Sequence, residues 1–358
     1  MKTQLLGLIL GTTLSLGAVD LPGDRGGGAG LDWSVKIRDP KDGCIDLSRF
    51  LNEPLGFVPL ILPITEPAVG SGAALVPVFI DKPEGGGRPV ITGIGGMRTS
   101  NGSRGVFGAF SRYYLDQRLH LVGGVADLSV NLDFNGLGSV LTPGGSVVQY
   151  NLEMRGGLLG ADWKFGQSDW RVGLRYAYAD IDVSFDRASA AVQRDLLDGL
   201  GRSYTVSSLT PSLIYDSRDN IFTSTDGLVS DLSLSANLEA LGGSSNFQVL
   251  TWNTQLYQPL KEGEWFLGVK GQVEQSFGEI PFYAQPYVTL RGAPVSRYQG
   301  EGVASLEAEL RWQFHSRWSV LGFAGTGVTW SDKLLANDSE VTATGGMGVR
   351  YLLAREHG

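Results

Sequence analysis

The chain has 358 residues, a formal net charge of −8, and only 18% Lys, Arg, Asp and Glu. That acidic balance argues against a nucleic-acid partner, whose phosphates call for a basic surface, and the charge content is below the usual quarter of a soluble protein. Hydrophobic residues reach 42%, too few for a bundle of membrane helices, and the single cysteine, Cys44, rules out an internal disulfide.

Met1-Lys2, the apolar run Leu5–Leu16 and the small residues Ser15, Gly17 and Ala18 have the layout of a secretory signal over residues 1–18. The run is too short to span a bilayer; the competing reading is a buried N-terminal helix. Cys44 lies too far past it to be the acylated cysteine of a lipoprotein signal. Residues 19–55 read as a short periplasmic segment with a glycine patch (Gly26–Gly28) and a short helix at Asp46–Leu51 capped by Asp46. Export without disulfides fits a bacterial envelope protein.

From residue 56 to 358 the pattern predicts amphipathic strands separated by turn signals. They are Gly56–Ile64, Val69–Ile80, Pro89–Arg98, Ser103–Leu115, Leu119–Phe134, Val147–Phe165, Trp170–Phe185, Tyr204–Tyr215, Leu228–Leu238, Phe247–Leu260, Glu264–Phe277, Val303–Phe314, Arg317–Trp330 and Val341–Leu353. Pro59 and Pro63 suit Gly56–Ile64 only as an edge or seam strand. Ala190–Leu200 is the one further helix expected.

Alternation is clearest in Val303–Phe314. Val303, Ser305, Glu307, Glu309, Arg311 and Gln313 share one face; Ala304, Leu306, Ala308, Leu310, Trp312 and Phe314 share the other. Leu228–Leu238 and Gly124–Phe134 divide in the same way, which predicts oily faces toward hydrocarbon and polar faces toward an interior. A soluble β-sandwich also alternates. Length separates the two, because soluble strands average five or six residues whereas these run to about ten or more, the reach of an oblique bilayer crossing. Trp318 and Trp330 lie twelve residues apart on one face, as two interfacial girdles would. The fold class expected is therefore all-β, a transmembrane antiparallel barrel of about 13–14 strands.

Connections at Leu115–Leu119, Phe165–Trp170 and Leu260–Glu264 are short, and those at Asn135–Ser146, Asp186–Ser203 and Gly278–Gly302 are long, on the opposite end. Short turns belong in the periplasm and long loops outside. Asp216–Gly227 is an exception, long yet on the short-turn end.

Four segments resemble the BamA/TamA superfamily of outer-membrane barrels, also called bacterial surface antigens. Tyr215-Asp-Ser-Arg-Asp-Asn-Ile-Phe-Thr-Ser-Thr-Asp-Gly227 is similar to a family periplasmic turn, with Asp216, Arg218, Asp219 and Gly227 in its fixed places. Leu290-Arg291-Gly292 matches the signature of a loop that folds back into the lumen. Arg297-Tyr-Gln-Gly-Glu301 runs into Glu307-Ala-Glu-Leu-Arg311, and Arg317–Gly327 with Gly345–Tyr351 follows. Ile64-Thr-Glu-Pro-Ala-Val-Gly70 looks like the barrel entry of shorter members. The resemblance covers roughly residues 56–353, and it implies about 16 strands in a complete relative. It also implies a barrel that assists insertion or translocation of proteins or lipids, with outer-membrane lipid and client proteins as partners. Two departures stand out. The segment before Gly56 is too short for the periplasmic repeats of client-handling members, and two family strands are missing after Tyr351. Either the sequence is truncated or frameshifted, or closure by another route, such as oligomerisation, is expected.

Arg291 is the leading candidate residue. Glu307 and Glu309 are its expected anchors, since the family's anchoring aspartate position, two after Phe323, is Gly325 here. Asp180 and Asp182 read as a solvated strand end. His120, His315 and His357 read as isolated, and no cluster has metal-site spacing, so neither metal nor cofactor is expected. The glycines of Gly322-x-x-Gly325-x-Gly327 lie inside a strand with no following helix, and are expected to let the lumen loop approach the wall. No nucleophile elbow is present, and a non-enzymatic role is expected. The alternatives are a passive diffusion pore or structural barrel and, further off, a soluble secreted sandwich enzyme.

Overall fold

A computed structural model describes residues 38–46, 57–65, 69–81, 88–134, 148–185, 203–221, 223–295, 297–331 and 339–353. The signal, the Asp46–Leu51 helix (beyond Asp46 itself) and the Ala190–Leu200 helix lie outside the described residues. Fourteen strands form one antiparallel sheet in strict chain order. They are β1 (Phe57–Ile64), β2 (Gly72–Asp81), β3 (Val90–Thr99), β4 (Arg104–Tyr114), β5 (Leu119–Phe134), β6 (Val148–Lys164) and β7 (Trp170–Phe185). The series continues with β8 (Ser203–Asp216), β9 (Gly227–Asn237), β10 (Phe247–Lys261), β11 (Trp265–Gly278), β12 (Gly302–Gln313), β13 (Trp318–Trp330) and β14 (Ser339–Tyr351). The observed ends fall within a few residues of the alternation limits.

β1 is a true strand despite its prolines. Pro59 pairs with Pro77 and Pro63 with Ala73, and β1 has one neighbour, β2, so its second edge tolerates residues that cannot donate. No ladder joins β1 to β14 among the described residues, and the sheet is open along that seam. It is nevertheless curled on itself. Arg88, before β3, reaches Asp216 at the end of β8 with Nη2 to Oδ2 at 2.6 Å, and one buried cluster links Val69, Leu128, Leu152, Ile181, Val206 and Val249 to Ile280, Tyr283 and Ala284 of the β11–β12 connection.

The outward face over the lower half is apolar. Val125, Leu159, Leu174, Leu306 and Leu310 are exposed there, with Trp163, Trp170, Trp312 and Trp318 at the short-turn end. Tyr176 and Tyr178 mark the upper limit on β7. The inward face of the same zone is polar, with Asp162, Arg171, Ser212, Gln272, Glu274 and Glu307 all buried.

Toward the long-loop end of β5–β7 the faces exchange character, which corrects the expectation of oily-outside throughout. Ala126, Leu128, Val130 and Leu132 of β5 are buried inside, whereas Asp127 is exposed outside. On β6 Tyr150 and Leu152 face in and Glu153 and Arg155 face out; on β7 Ile181 and Val183 face in while Asp180 and Asp182 face out. The strands continue past the hydrocarbon layer into water. Their outer surface there must be polar, and their inner surface packs on the folded-back connection instead of lining a wet channel.

Candidate functional site: the lumen loop and the turns below it

Between β11 and β12 the chain re-enters the curled sheet. A narrow hairpin forms: Val288 N–H donates to Tyr298 O at 2.9 Å, Gly300 N–H to Pro286 O at 3.1 Å, and Tyr287 bridges Gln299. At its tip Ala293 N–H donates to Leu290 O, and Gly292 takes φ +85°, a left-handed backbone that suits glycine. This turn explains the triplet: Leu290 faces the wall, Arg291 faces the inner strands, and Gly292 reverses the chain. Val288 and Leu290 are buried with Val303. They lie on the inward face of β13 where side chains are absent, since a Cβ on Gly325 would sit 2.9 Å from Leu290 Cδ2 and one on Gly327 2.4 Å from Val288 Cγ1. Gly322 is not part of this seat; its Cβ would approach Gly346 O.

Arg291 is held by β12. Its Nε donates to Glu307 Oε1 at 2.8 Å, its Nη1 to Glu309 Oε2 at 2.6 Å, and its backbone N–H to Glu307 Oε2 at 3.2 Å. The guanidinium carbon lies over the Phe323 ring, 3.9 Å from its centroid. Glu309 also accepts from Arg350 Nη2 of β14 at 2.8 Å. One cation on the loop tip is thus gripped by two carboxylates and an aromatic face, a geometry a planar fork can satisfy and an ammonium cannot.

The Asp216–Gly227 segment is a second built structure. Asp216 is buried and accepts a two-pronged contact from Arg218, Nε to Oδ1 at 2.9 Å and Nη2 to Oδ2 at 3.2 Å, besides Arg88. Asp219 closes the loop from inside, accepting the backbone N–H groups of Asn220 at 2.9 Å and Thr225 at 3.0 Å. Burial alone would raise the Asp219 carboxyl. The hydrogen bonds from Thr225, Asp226 and Asn220 outweigh it and hold the group below the usual carboxylate range. Gly227 has φ +101°, and a Cβ there would sit 2.5 Å from Ser217 O. Side-chain capping of backbone donors is what makes this long connection compact enough for the periplasmic end.

Two arrangements escaped sequence reasoning. Arg317, at the base of β13, is fully buried between three carboxylates: Nη2 to Asp39 at 2.6 Å, Nε to Asp42 at 2.7 Å and Nη1 to Asp46 at 2.6 Å. Asp46 therefore binds an arginine at the foot of a distant strand. Tyr351 Oη adds a bond to Ile45 O at 2.7 Å. Burial opposes the charge, but the Asp42 and Asp46 bonds hold the Arg317 guanidinium above its ordinary value. The signal available in the sequence was the 39, 42, 46 spacing around Gly43, which has φ +68°. The second concerns His120, which is not isolated. Its Nδ1 lies 2.9 Å from Asp162 Oδ2 and its Nε2 2.8 Å from Ser111 Oγ, with Tyr113 stacked at 4.2 Å. These are triad residue types, but strands on both sides engage the backbone of β4, which leaves no pair of main-chain donors for an oxyanion. Asp180 and Asp182 stay at the exposed outer rim. No group of three His, Cys, Asp or Glu among the described residues could hold a metal ion.

Comparison with known proteins gives the family. Residues 127–354 match the Omp85 superfamily domain. Among solved structures the chain is similar to BamA from Haemophilus ducreyi lacking POTRA domains 1–3, with TM-score 0.55 and 14% identity over 80% of this chain and 62% of that one. It is also similar to CdiB from Escherichia coli, with TM-score 0.54 and 13% identity over 85% and 63%, and to CdiB from Acinetobacter baumannii, with TM-score 0.52 and 9% identity over 78% and 50%. The chain therefore spans less than two thirds of each of these. A sequence comparison with curated proteins finds no match. The resemblance carried by the Tyr215–Gly227 turn and the Leu290-Arg291-Gly292 tip holds at family level: the chain belongs to the Omp85 superfamily and is a bacterial outer-membrane β-barrel protein.

Proposed function

We propose that this barrel assists insertion or translocation of proteins or lipids at the outer membrane, with Arg291, Glu307 and Glu309 holding the lumen loop in place and the β1–β14 seam as the exit. The observation that carries the reading is the loop tip pinned inside an otherwise open-seamed sheet. A barrel built for passive diffusion keeps its interior wet and its strands closed, because unpaired backbone in lipid costs several kcal/mol per group. Here the upper interior is packed with apolar side chains, and no ladder joins β1 to β14 among the described residues. Outer-membrane lipid is the solvent of the apolar band, and the clients are unfolded strands or lipids able to meet an open edge. No step calls for a cofactor or for covalent chemistry.

The test is reconstitution in lipid vesicles with a urea-unfolded outer-membrane barrel as client. Insertion should be accelerated over empty vesicles, and a disulfide engineered across β1 and β14 should abolish the gain. Conductance large in the wild type and unchanged on deleting residues 286–300 would instead mark a diffusion pore and sink the proposal.

A further inference from the structure

The outer wall carries an unexplained pair of cations at its upper rim. Arg98 and Arg104 stand opposite one another at the last paired position of the β3–β4 hairpin, just below the short Ser100–Ser103 turn. Strand parity sends both outward, above Ile94 and Val106, which are 58% and 63% exposed. Both arginines are exposed. Like charges directly opposite on neighbouring strands repel, and among the described residues nothing relieves them. On the flanking strands the facing positions are Ala73 and Ser129. The nearby Asp127, diagonal to Arg104, is taken by Arg155 at 2.7 Å. Glu153 stands beyond Ser129, one strand further away.

The height of the pair identifies what would neutralise it. On β5–β7 the outward face turns polar from Asp127, Arg155 and Asp180, which are register neighbours in one row with Val106. Arg98 and Arg104 lie one row higher, at the level where hydrocarbon gives way to headgroups. Below them Leu75 of β2, Ile94 and Val106 form a bare apolar stripe. A ligand with two or more phosphate oxygens above and acyl chains below fits both parts. We propose that Arg98 and Arg104 form a binding site for the phosphate of an outer-leaflet lipid, with its chains lying on Leu75, Ile94 and Val106. Guanidinium forks suit phosphate in geometry as well as charge.

The test uses the full chain, purified, delipidated and reconstituted in phosphatidylcholine nanodiscs doped with fluorescent lipid A. Each basic residue at an anionic lipid surface is worth roughly a fivefold change in partition, so the R98Q/R104Q double variant should lose roughly thirtyfold in lipid A affinity. The D127N/R155Q double variant, which removes the neighbouring ion pair whole and so leaves no carboxylate free to meet Arg104, should change affinity little. Heat-modified mobility on gels, unchanged in both variants, confirms that the barrels are folded. Dephosphorylated lipid A should bind as weakly to the wild type as lipid A does to the double variant. Equal affinity of wild type and double variant overturns the proposal. So does equal binding of the dephosphorylated lipid, or complete displacement by inorganic phosphate, which would mark an ion site without a role for the acyl chains.

Discussion

At the residue scale, Arg291 and the glycines facing it act as one device. Replacing Arg291 with Gln leaves Glu307 without its guanidinium and Glu309 with Arg350 alone, a cost of about 2–3 kcal/mol for a partly buried charged network. Arg291→Lys should recover only a fraction, because lysine can neither fork onto two carboxylates nor stack on Phe323. Thermal unfolding followed by gel mobility ranks the three proteins. A ranking with lysine equal to arginine would show that charge alone matters. Gly327→Val should lift the loop by forcing a side chain onto Val288, an overpacking cost of about 1–3 kcal/mol. Val288→Ala combined with it should restore part of the loss, a coupling that independent sites do not show. Asp219 gives a pH test. Its folded carboxyl is held below the ordinary value, so its contribution is present at neutral pH and fades as acid carries the pH down through the folded value. Asp219→Asn should therefore melt below the wild type near pH 7, as an order-of-magnitude working pH, and the two should converge in acid. A gap that persists in acid would assign the loss to something other than charge.

At the element scale, the strands were legible because alternation over ten or more residues leaves few alternatives. Even β1, with its two prolines, was legible as an edge or seam strand. What stayed illegible was contact between distant segments. Nothing local in Asp39-Pro-Lys-Asp-Gly-Cys-Ile-Asp46 names Arg317 as its partner, more than 270 positions away. In the same way His120 reads as solitary until β4 and β6 bring Ser111 and Asp162 to either side. The Arg291 pairing was more accessible, since Glu307 and Glu309 share a face and the loop lies only 16 and 18 positions earlier. The clasp around Arg317 predicts that Arg317→Gln, with three carboxylates left facing one another, releases residues 38–46 while the ladder survives. Trypsin cleavage after Lys41 should then accelerate by about tenfold or more, since 1.4 kcal/mol already gives that factor. Cleavage at the wild-type rate in the variant would mean that the segment is held by other contacts.

At the scale of the whole molecule, the exchange of faces along β5–β7 was the main point missed, because alternation reports two faces without saying which is wet. The same Leu128-Ser129-Val130 pattern serves a lipid-facing wall or a wall standing in water with a packed interior. Cysteine substitutions in a Cys44→Ser background distinguish them. Positions 129, 153 and 182 should react with a membrane-impermeant maleimide on intact cells, whereas 125 and 159, in hydrocarbon, and 128 and 152, inside, should not. Labelling at 128 and 152 with protection at 129 and 153 would invert the assignment. The wall is thus lopsided: tall and roofed over β5–β8, where Ile280, Tyr283 and Ala284 pack beneath the outer edge, and cut short at the Ser100–Ser103 hairpin beside the seam. Under the proposed insertion role, a passenger rising from the periplasm is expected to be stopped beneath the β5–β8 roof and to leave sideways into the bilayer beside the short Ser100–Ser103 hairpin, rather than to the medium.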